Sequence, residues 1–353
     1  MKCCKVIKRS SCLSVALFIA LSFCSCLSYR MVGIEMYQPA SITFSPEIRT
    51  VMIVNNAAQQ PDDYGHQFIY FQHKDSTLSV SADSMAYYFC RSLGGAIAES
   101  PLFDDVRLCD DTLRHDSLFY ITQPLTVRDV ESLCEQYDVD ALITLDKIVF
   151  KTVLVCEDKN TYIDWNMLNV EVTGELKALW PGKNIAHTIP FIDSLVWAVD
   201  YYHPAETFTV HDLQSCMRYL SEHTGHNMHM HFVPYWLSSK RWYYTSVSSD
   251  WKRATAYAVV EKWEQAAEIW QSLYHKTTPK NQKARLASNL ALFHEMKGDF
   301  PKAIEYADQA HTIFQEITVE DDMYRKMQKS YLEILNKRLE DERVLTEQLR
   351  EKK

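Results

Sequence analysis

The sequence predicts an α+β (or α/β) sandwich domain followed by an all-α domain of helical repeats. Three observations predict it. Strand-like and helix-like patterns alternate between Arg49 and about residue 245, only helical periodicity remains beyond Ser246, and two stretches of that second half align when offset by 37 residues.

The chain opens on a basic head (Lys2, Lys5, Lys8, Arg9) that runs into the apolar stretch 13–23 and stops at Cys24-Ser25-Cys26. Eleven residues at about 1.5 Å each cannot cross a hydrocarbon core of about 30 Å, so residues 1–25 read as a secretory signal ending at a lipidation cysteine. Cys26 is that cysteine, because small Ser25 precedes it whereas bulky Phe23 precedes Cys24. Residues 26–47 carry Tyr29, Met31, Tyr37, Pro39 and Pro46 in no clear period and are expected to be a tether.

The α/β domain is expected over 48–245. Thr50-Val51-Met52-Ile53-Val54 reads as a buried strand and 55–79 as a polar, turn-rich loop. Ser81 is the expected cap of a helix in which Met85, Tyr88, Phe89, Leu93 and Ile97 recur mostly at three- and four-residue steps before Pro101. Gly94-Gly95 inside that helix predicts a close neighbour. Residues 105–109 form a short strand, Thr126 and Asp129 a capping box opening a helix to Tyr137, and Ala141 starts a strand to about Val155. The runs 168–180 and 185–197 predict an antiparallel hairpin around a Pro181-Gly182 turn. Thr209 and Asp212 open a further helix with Leu213, Met217, Leu220, Thr224, Met228 and Phe232 on one face. The aromatic group Trp236, Trp242, Tyr243, Tyr244 and Trp251 then spans the domain junction and reads as the glue between domains.

In the helical domain, 246–353, Ala254, Trp263 and Ala266 align with Ala291, Phe300 and Ala303. The second copy, with Asn289-Leu290-Ala291, Gly298-Asp299-Phe300, Ala303-Ile304 and Ala310, fits the tetratricopeptide pattern: small residues let two helices approach and the glycine makes the turn. The last stretch, with Met327, Tyr331, Ile334, Leu335, Leu339, Leu345 and Leu349 amid dense charge, is expected to cap the array.

Loss of residues 1–25 removes four of the 37 basic residues and none of the 46 acidic ones, leaving 33 against 46 and a net charge of −13. Such a surface repels phosphate backbones and anionic headgroups, so no nucleic-acid partner is expected and membrane attachment falls to the lipid. Of the mature cysteines other than Cys26, five remain (Cys90, Cys109, Cys134, Cys156, Cys216), without a C-x-x-C pair, and they read mainly as buried free thiols.

Glycine-rich phosphate loops, G-x-S-x-G and H-E-x-x-H are all absent, so no catalytic residues and no cofactor are assigned. His223, His226, His229 and His231 fan around a helix axis, which leaves His223 and His226 as weak metal candidates beside the plainer reading of an exposed face. The doublets Asp62-Asp63, Asp104-Asp105, Asp110-Asp111 and Asp321-Asp322 read as solvated turn or cap residues.

The strand 50–54, the helix leading to Phe103-Asp104-Asp105-Val106, and Tyr137-Asp138-Val139-Asp140-Ala141-Leu142-Ile143 resemble the small α/β domain of periplasmic lipoproteins. These include the curli secretion lipoprotein, penicillin-binding-protein activator lipoproteins and the amino-terminal domain of the Tol translocation protein. The glycine usual near the end of that last strand is absent. The whole layout is similar to uncharacterised lipoproteins of the Bacteroides group that join such a domain to tetratricopeptide repeats. The residues after Cys26 lack the acidic cluster that resembles a surface-export signal in such proteins, so this resemblance implies that the domains are expected on the periplasmic side of the outer membrane. The expected function is a scaffold or assembly factor that meets other envelope proteins through its helical repeats. The alternative is an enzyme or ligand-binding domain with a cleft under the 55–79 loop.

Overall fold

The structure is a computed structural model and describes residues 29–70, 73–75, 79–116, 118–156, 166–182, 187–199, 210–317 and 322–349. Residues 1–25, expected to be a signal segment, and with them Cys26, Thr209 and Asp321, lie outside the described residues. A sheet-containing region is followed by an all-helical one, and the chain divides into two compact units. One unit holds Gln38–Tyr235 and the chain from Val344; the other holds Trp236–Arg343 together with most of the first strand, β1 (Tyr29–Gln38).

The α/β unit is built on a seven-stranded sheet. Strand β2 (Thr50–Asn55) lies parallel to both β5 (Asp105–Leu108) and β6 (Ala141–Cys156). Its continuous apolar run follows from burial on both faces: Val51 and Ile53 join the core under one helical layer, Met52 and Val54 the core under the other. Each such side chain contributes about 1.5–3 kcal/mol on burial. The carboxylate of Asp140, just ahead of β6, accepts from the backbone N–H groups of Arg49 and Thr50 and from the Thr50 hydroxyl, at 2.8–2.9 Å. It thereby staples the start of β6 to the start of β2.

The 55–79 segment is not one loop. It carries β3 (His66–Tyr70), parallel to the second half of β6, and β4 (His73–Asp75), antiparallel to β3. Between the end of β2 and the start of β3 the edge of β6 would be bare. The amide of buried Gln60 fills it, accepting from Phe150 N at 2.7 Å and donating to Phe150 O at 2.8 Å, as a neighbouring strand would. These strands escaped the sequence reading because β3 and β4 are only five and three residues long and are bounded by polar turns.

On the other edge of β6, the long hairpin of β7 (Asn166–Leu179) and β8 (His187–Val199) appears as expected, with Gly182 at φ +76° after Pro181. Helices α1 (Met85–Ala98) and α3 (Val210–Asn227) pack on one face, and α2 (Val127–Tyr137) covers the other. The capping box of Thr126 and Asp129 is formed. Ser81 is not the cap of α1: that position is Ser84, in a left-handed conformation, while the Ser81 hydroxyl accepts from Asp83 N. Gly94 does meet a close neighbour, since a Cβ there would lie 3.3 Å from Ile53 Cγ1, but Gly95 has nothing within 4 Å.

The helical unit contains α4 (Ser249–Val259), α5 (Trp263–Lys276), α6 (Lys280–Met296), α7 (Phe300–Glu316) and most of α8 (Asp322–Gln348). It also contains a two-stranded ribbon of β1 and β9 (Tyr235–Tyr244). The tether expected over 26–47 is therefore strand from Tyr29 to Gln38, and the boundary between units falls ten residues ahead of the expected one, before Trp236. The aromatics of β9 do not alternate, which hid the strand: three of them, 242–244, are consecutive and all enter the helical unit's cores.

Turn geometry recurs at the 37-residue offset. Glu261 and Gly298 are both left-handed, at φ 59° and 73°. The next residues, Lys262 and Asp299, have φ/ψ of −84°/67° and −86°/68°. Glu261 N donates to Ala258 O as Gly298 N donates to Glu295 O, both at 3.1 Å, and Lys262 N to Tyr257 O as Asp299 N to His294 O, both at 2.9 Å. Ala254, Ala266, Ala291, Ala303 and Ala310 are fully buried, Leu290 and Phe300 are buried, and Trp263 is half-buried. A side chain at left-handed Glu261 costs about 1–2 kcal/mol that glycine would relieve, against a glycine entropy cost of about 0.5–1 kcal/mol. Glu261→Gly is thus expected to stabilise by up to about 1 kcal/mol, read as a raised denaturation midpoint; a lowered midpoint would show that the turn is not strained.

Candidate functional site

In open α/β sheets ligands bind beyond the carboxyl ends of the parallel strands. Here the ends of β2 and β5 open into a cavity of about 550 Å³. Three segments converge on it: Asn55 with Ala57–Gln60 after β2, Asp110–Thr112 with Arg114–Asp116 after β5, and Ala82–Ser84 with Ala86 and Tyr87 at the entry to α1. Ile148 and Phe150 of β6 supply apolar wall, and Ala57, Ala58, Ala82 and Ala86 leave room.

The loops are held from within. Asn55 O accepts from Leu113 N at 3.0 Å and the Asn55 amide donates to Thr112 Oγ1 at 3.3 Å, tying the loop after β5 to the end of β2. Buried Arg114 grips the Asp116 carboxylate at 2.6 and 2.9 Å and the carbonyls of Leu118 and Ile121 at 3.2 and 2.9 Å. Hydrogen bonds from Arg114 hold the Asp116 carboxyl down at about 2. Next to the cleft, buried Asn56 donates to Asp146 Oδ1 and to Gln123 O, both at 2.9 Å, and Asp146 is paired with Lys177 at 2.8 Å.

Four carboxylates line the cleft (Asp83, Asp110, Asp111, Asp116) with one cation, Arg114, and since Arg114 is paired with Asp116, Asp83, Asp110 and Asp111 are left to set the sign of the lining. The positive end of α1 is worth only about half a charge and does not reverse that sign. The lining can hydrogen-bond hydroxyl, amide and ammonium groups and repels anions.

The doublet Asp110-Asp111, expected to be plain turn residues, thus lies on the cleft wall, and so does the start of the 55–79 segment. Both runs follow directly on parallel strands, which is the signal that could have singled out the first. Of the other doublets, Asp104 pairs with Arg49 and Asp105 with Arg107. His223 stacks on Tyr219 and contacts the Asn227 amide at 3.0 Å, His226 faces His229, and His231 meets Ser41. No group of three or more metal-ligating side chains converges among the described residues. Cys90, Cys109, Cys134 and Cys216 are free thiols, while the side chain of Cys156 lies outside the described residues. Burial pushes the Cys90 thiol up to about 12 and those of Cys134 and Cys216 to about 11, which leaves them protonated and poor nucleophiles at neutral pH. No described helix is long and apolar enough to cross a membrane.

Fold and cleft together define a two-unit protein: an α/β sheet unit with a polar, net-acidic cleft, and a helical unit. The chain belongs to the family described as Domain of unknown function (DUF8603), whose model matches residues 48–244. A second model, Domain of unknown function (DUF6340), matches residues 252–337. No curated protein matches the chain. Among solved structures, one titled "Crystal structure of uncharacterized protein" is similar at 8% identity over 51% of this chain and 90% of its own, with a TM-score of 0.25.

Proposed function

We propose that this is a lipid-anchored, periplasm-facing protein of the bacterial outer membrane whose α/β unit binds a small, polar, non-anionic ligand in the cleft beyond β2 and β5. The observation that carries the reading is the convergence of three separate segments, two of them following parallel strands, on one cavity with a carboxylate-rich lining. Anchoring rests on the signal segment and Cys26 in the sequence. The helical unit is a pair of tetratricopeptide-like repeats, α4–α5 and α6–α7, capped by α8; the recurrence of φ, ψ and hydrogen bonds at 37 residues supports this. A scaffold acting through the repeats would present an open face. Asn289 on α6 instead holds Tyr244 of β9, which shifts the preference from scaffold to ligand binding.

Calorimetric titration of the full chain with neutral sugars, organic amines and dicarboxylates tests the cleft. Neutral or ammonium-bearing compounds are expected to bind and dicarboxylates to be refused. Asp110→Asn with Asp111→Asn should weaken an ammonium ligand by about tenfold, two exposed charge contacts at about 0.2–1 kcal/mol each, with little change in stability. Binding that leaves hydrogen exchange in 57–60 and 110–116 untouched, or preference for dicarboxylates, would sink the proposal.

A further inference from the structure

Strand β9 enters the helical unit as a bound peptide would. The Asn289 amide, fully buried, accepts from Tyr244 N at 2.6 Å and donates to Tyr244 O at 2.9 Å, satisfying one residue of extended backbone from the side. Six residues further along α6, buried Glu295 receives Arg241 through Nε at 3.1 Å and Nη2 at 3.0 Å. The two spacings agree. Six helical residues rise about 9 Å and three strand residues about 10 Å, so the strand lies along the helix with Arg241 at Glu295 and Tyr244 at Asn289. The Tyr244 ring is enclosed by Phe314, Tyr324 and the Arg285 guanidinium. The segment matched by the second family model starts at 252, after the strand, whereas β9 closes the segment matched by the first.

We infer that this face of α6 is a recognition site for an extended peptide with an arginine three residues ahead of a tyrosine, occupied in cis by Arg241–Tyr244. Asn289 reads backbone, Glu295 reads the arginine, and the aromatic enclosure reads the tyrosine. The tethered strand competes at an effective concentration of about millimolar, so a second peptide of this type binds only where the cis strand is weakened.

The probe is a fluorescent peptide of the sequence Tyr235–Tyr244, added to the full chain and followed by anisotropy. The wild-type chain is expected to ignore it. Full-length Arg241→Ala chain, folded by circular dichroism, is expected to bind it at least tenfold more tightly than wild type, and to bind the peptide carrying Arg241→Ala no better than wild type does. Should that chain not fold, the exposed linker Val247-Ser248 is replaced by a protease site and cut in the folded full-length protein, which should then take up the peptide. Failure of the folded variant or of the cut chain to take it up, or equal uptake of both peptides, overturns the inference.

Discussion

Glu295→Ala is expected to lower the stability of the helical unit by about 3–5 kcal/mol, the cost of removing one member of a buried ionic cluster and stranding the others. The cluster is tight. Glu295 accepts from Arg241, from Arg338 Nη1 at 2.6 Å and from Tyr331 Oη at 2.8 Å, and the side chains of Arg241, Arg338 and Glu295 are only 3%, 13% and 0% exposed. Burial and the Glu295 charge raise the Tyr331 phenol well above its ordinary range, so it stays protonated and remains the donor to the carboxylate. Five of the eight tryptophans (Trp236, Trp242, Trp251, Trp263, Trp270) belong to this unit, so tryptophan fluorescence during urea denaturation reads it. The cost should fall when the charges go together: Arg241→Met, Glu295→Leu and Arg338→Met combined should be much less damaging than Glu295→Ala alone. A loss below about 1 kcal/mol for Glu295→Ala would mean that water reaches the two arginines.

Gly225→Ala is expected to destabilise the α/β unit by about 1–3 kcal/mol, although alanine is the better helix former by about 1 kcal/mol. The sign is decided by what the added methyl meets. Its Cβ would lie 2.4 Å from Phe89 O and 3.1 Å from Phe89 C, backbone atoms of α1 that cannot rotate away. Helix α3 would have to lift from α1, loosening Phe89, Leu93, Leu213, Met217 and Leu220 in the main core. Circular dichroism on thermal unfolding should show the lowered midpoint; an unchanged or raised one would show that the helices shift at little cost. Gly94→Ala, whose Cβ would lie 3.3 Å from a side-chain atom, Ile53 Cγ1, and not against backbone, should be markedly milder.

These two positions also separate what local pattern conveys from what it does not. The strand 50–54, the capping box of Thr126 and Asp129, the 181–182 turn and the buried alanines of 254–310 are legible because each rests on periodicity or on the conformational demand of a residue within a few positions. The recurrence at 37 residues is of the same kind, although Glu261 hides the left-handed turn that Gly298 announces. Gly94-Gly95 advertised a close approach in sequence; the closer one, at Gly225, gave no sign, because its partner Phe89 is more than a hundred residues away.

The sequence by itself determined the order of β2, α1, β5, α2, β6, β7, β8 and α3, the helical character of the second half and the net acidity, since these depend on composition and short-range spacing. Only the tertiary structure decided that 57–60 and 110–116 face each other across a cleft, that Gln60 completes the edge of β6, and that β9 lies against Asn289 and Glu295. Each of these joins residues 45 to 90 positions apart through a polar group that, read locally, is indistinguishable from a solvated surface residue. Burial is what gives such a group its meaning, because an amide or carboxylate taken out of water must find partners, and which partners are in reach is set by the sheet and helices around it.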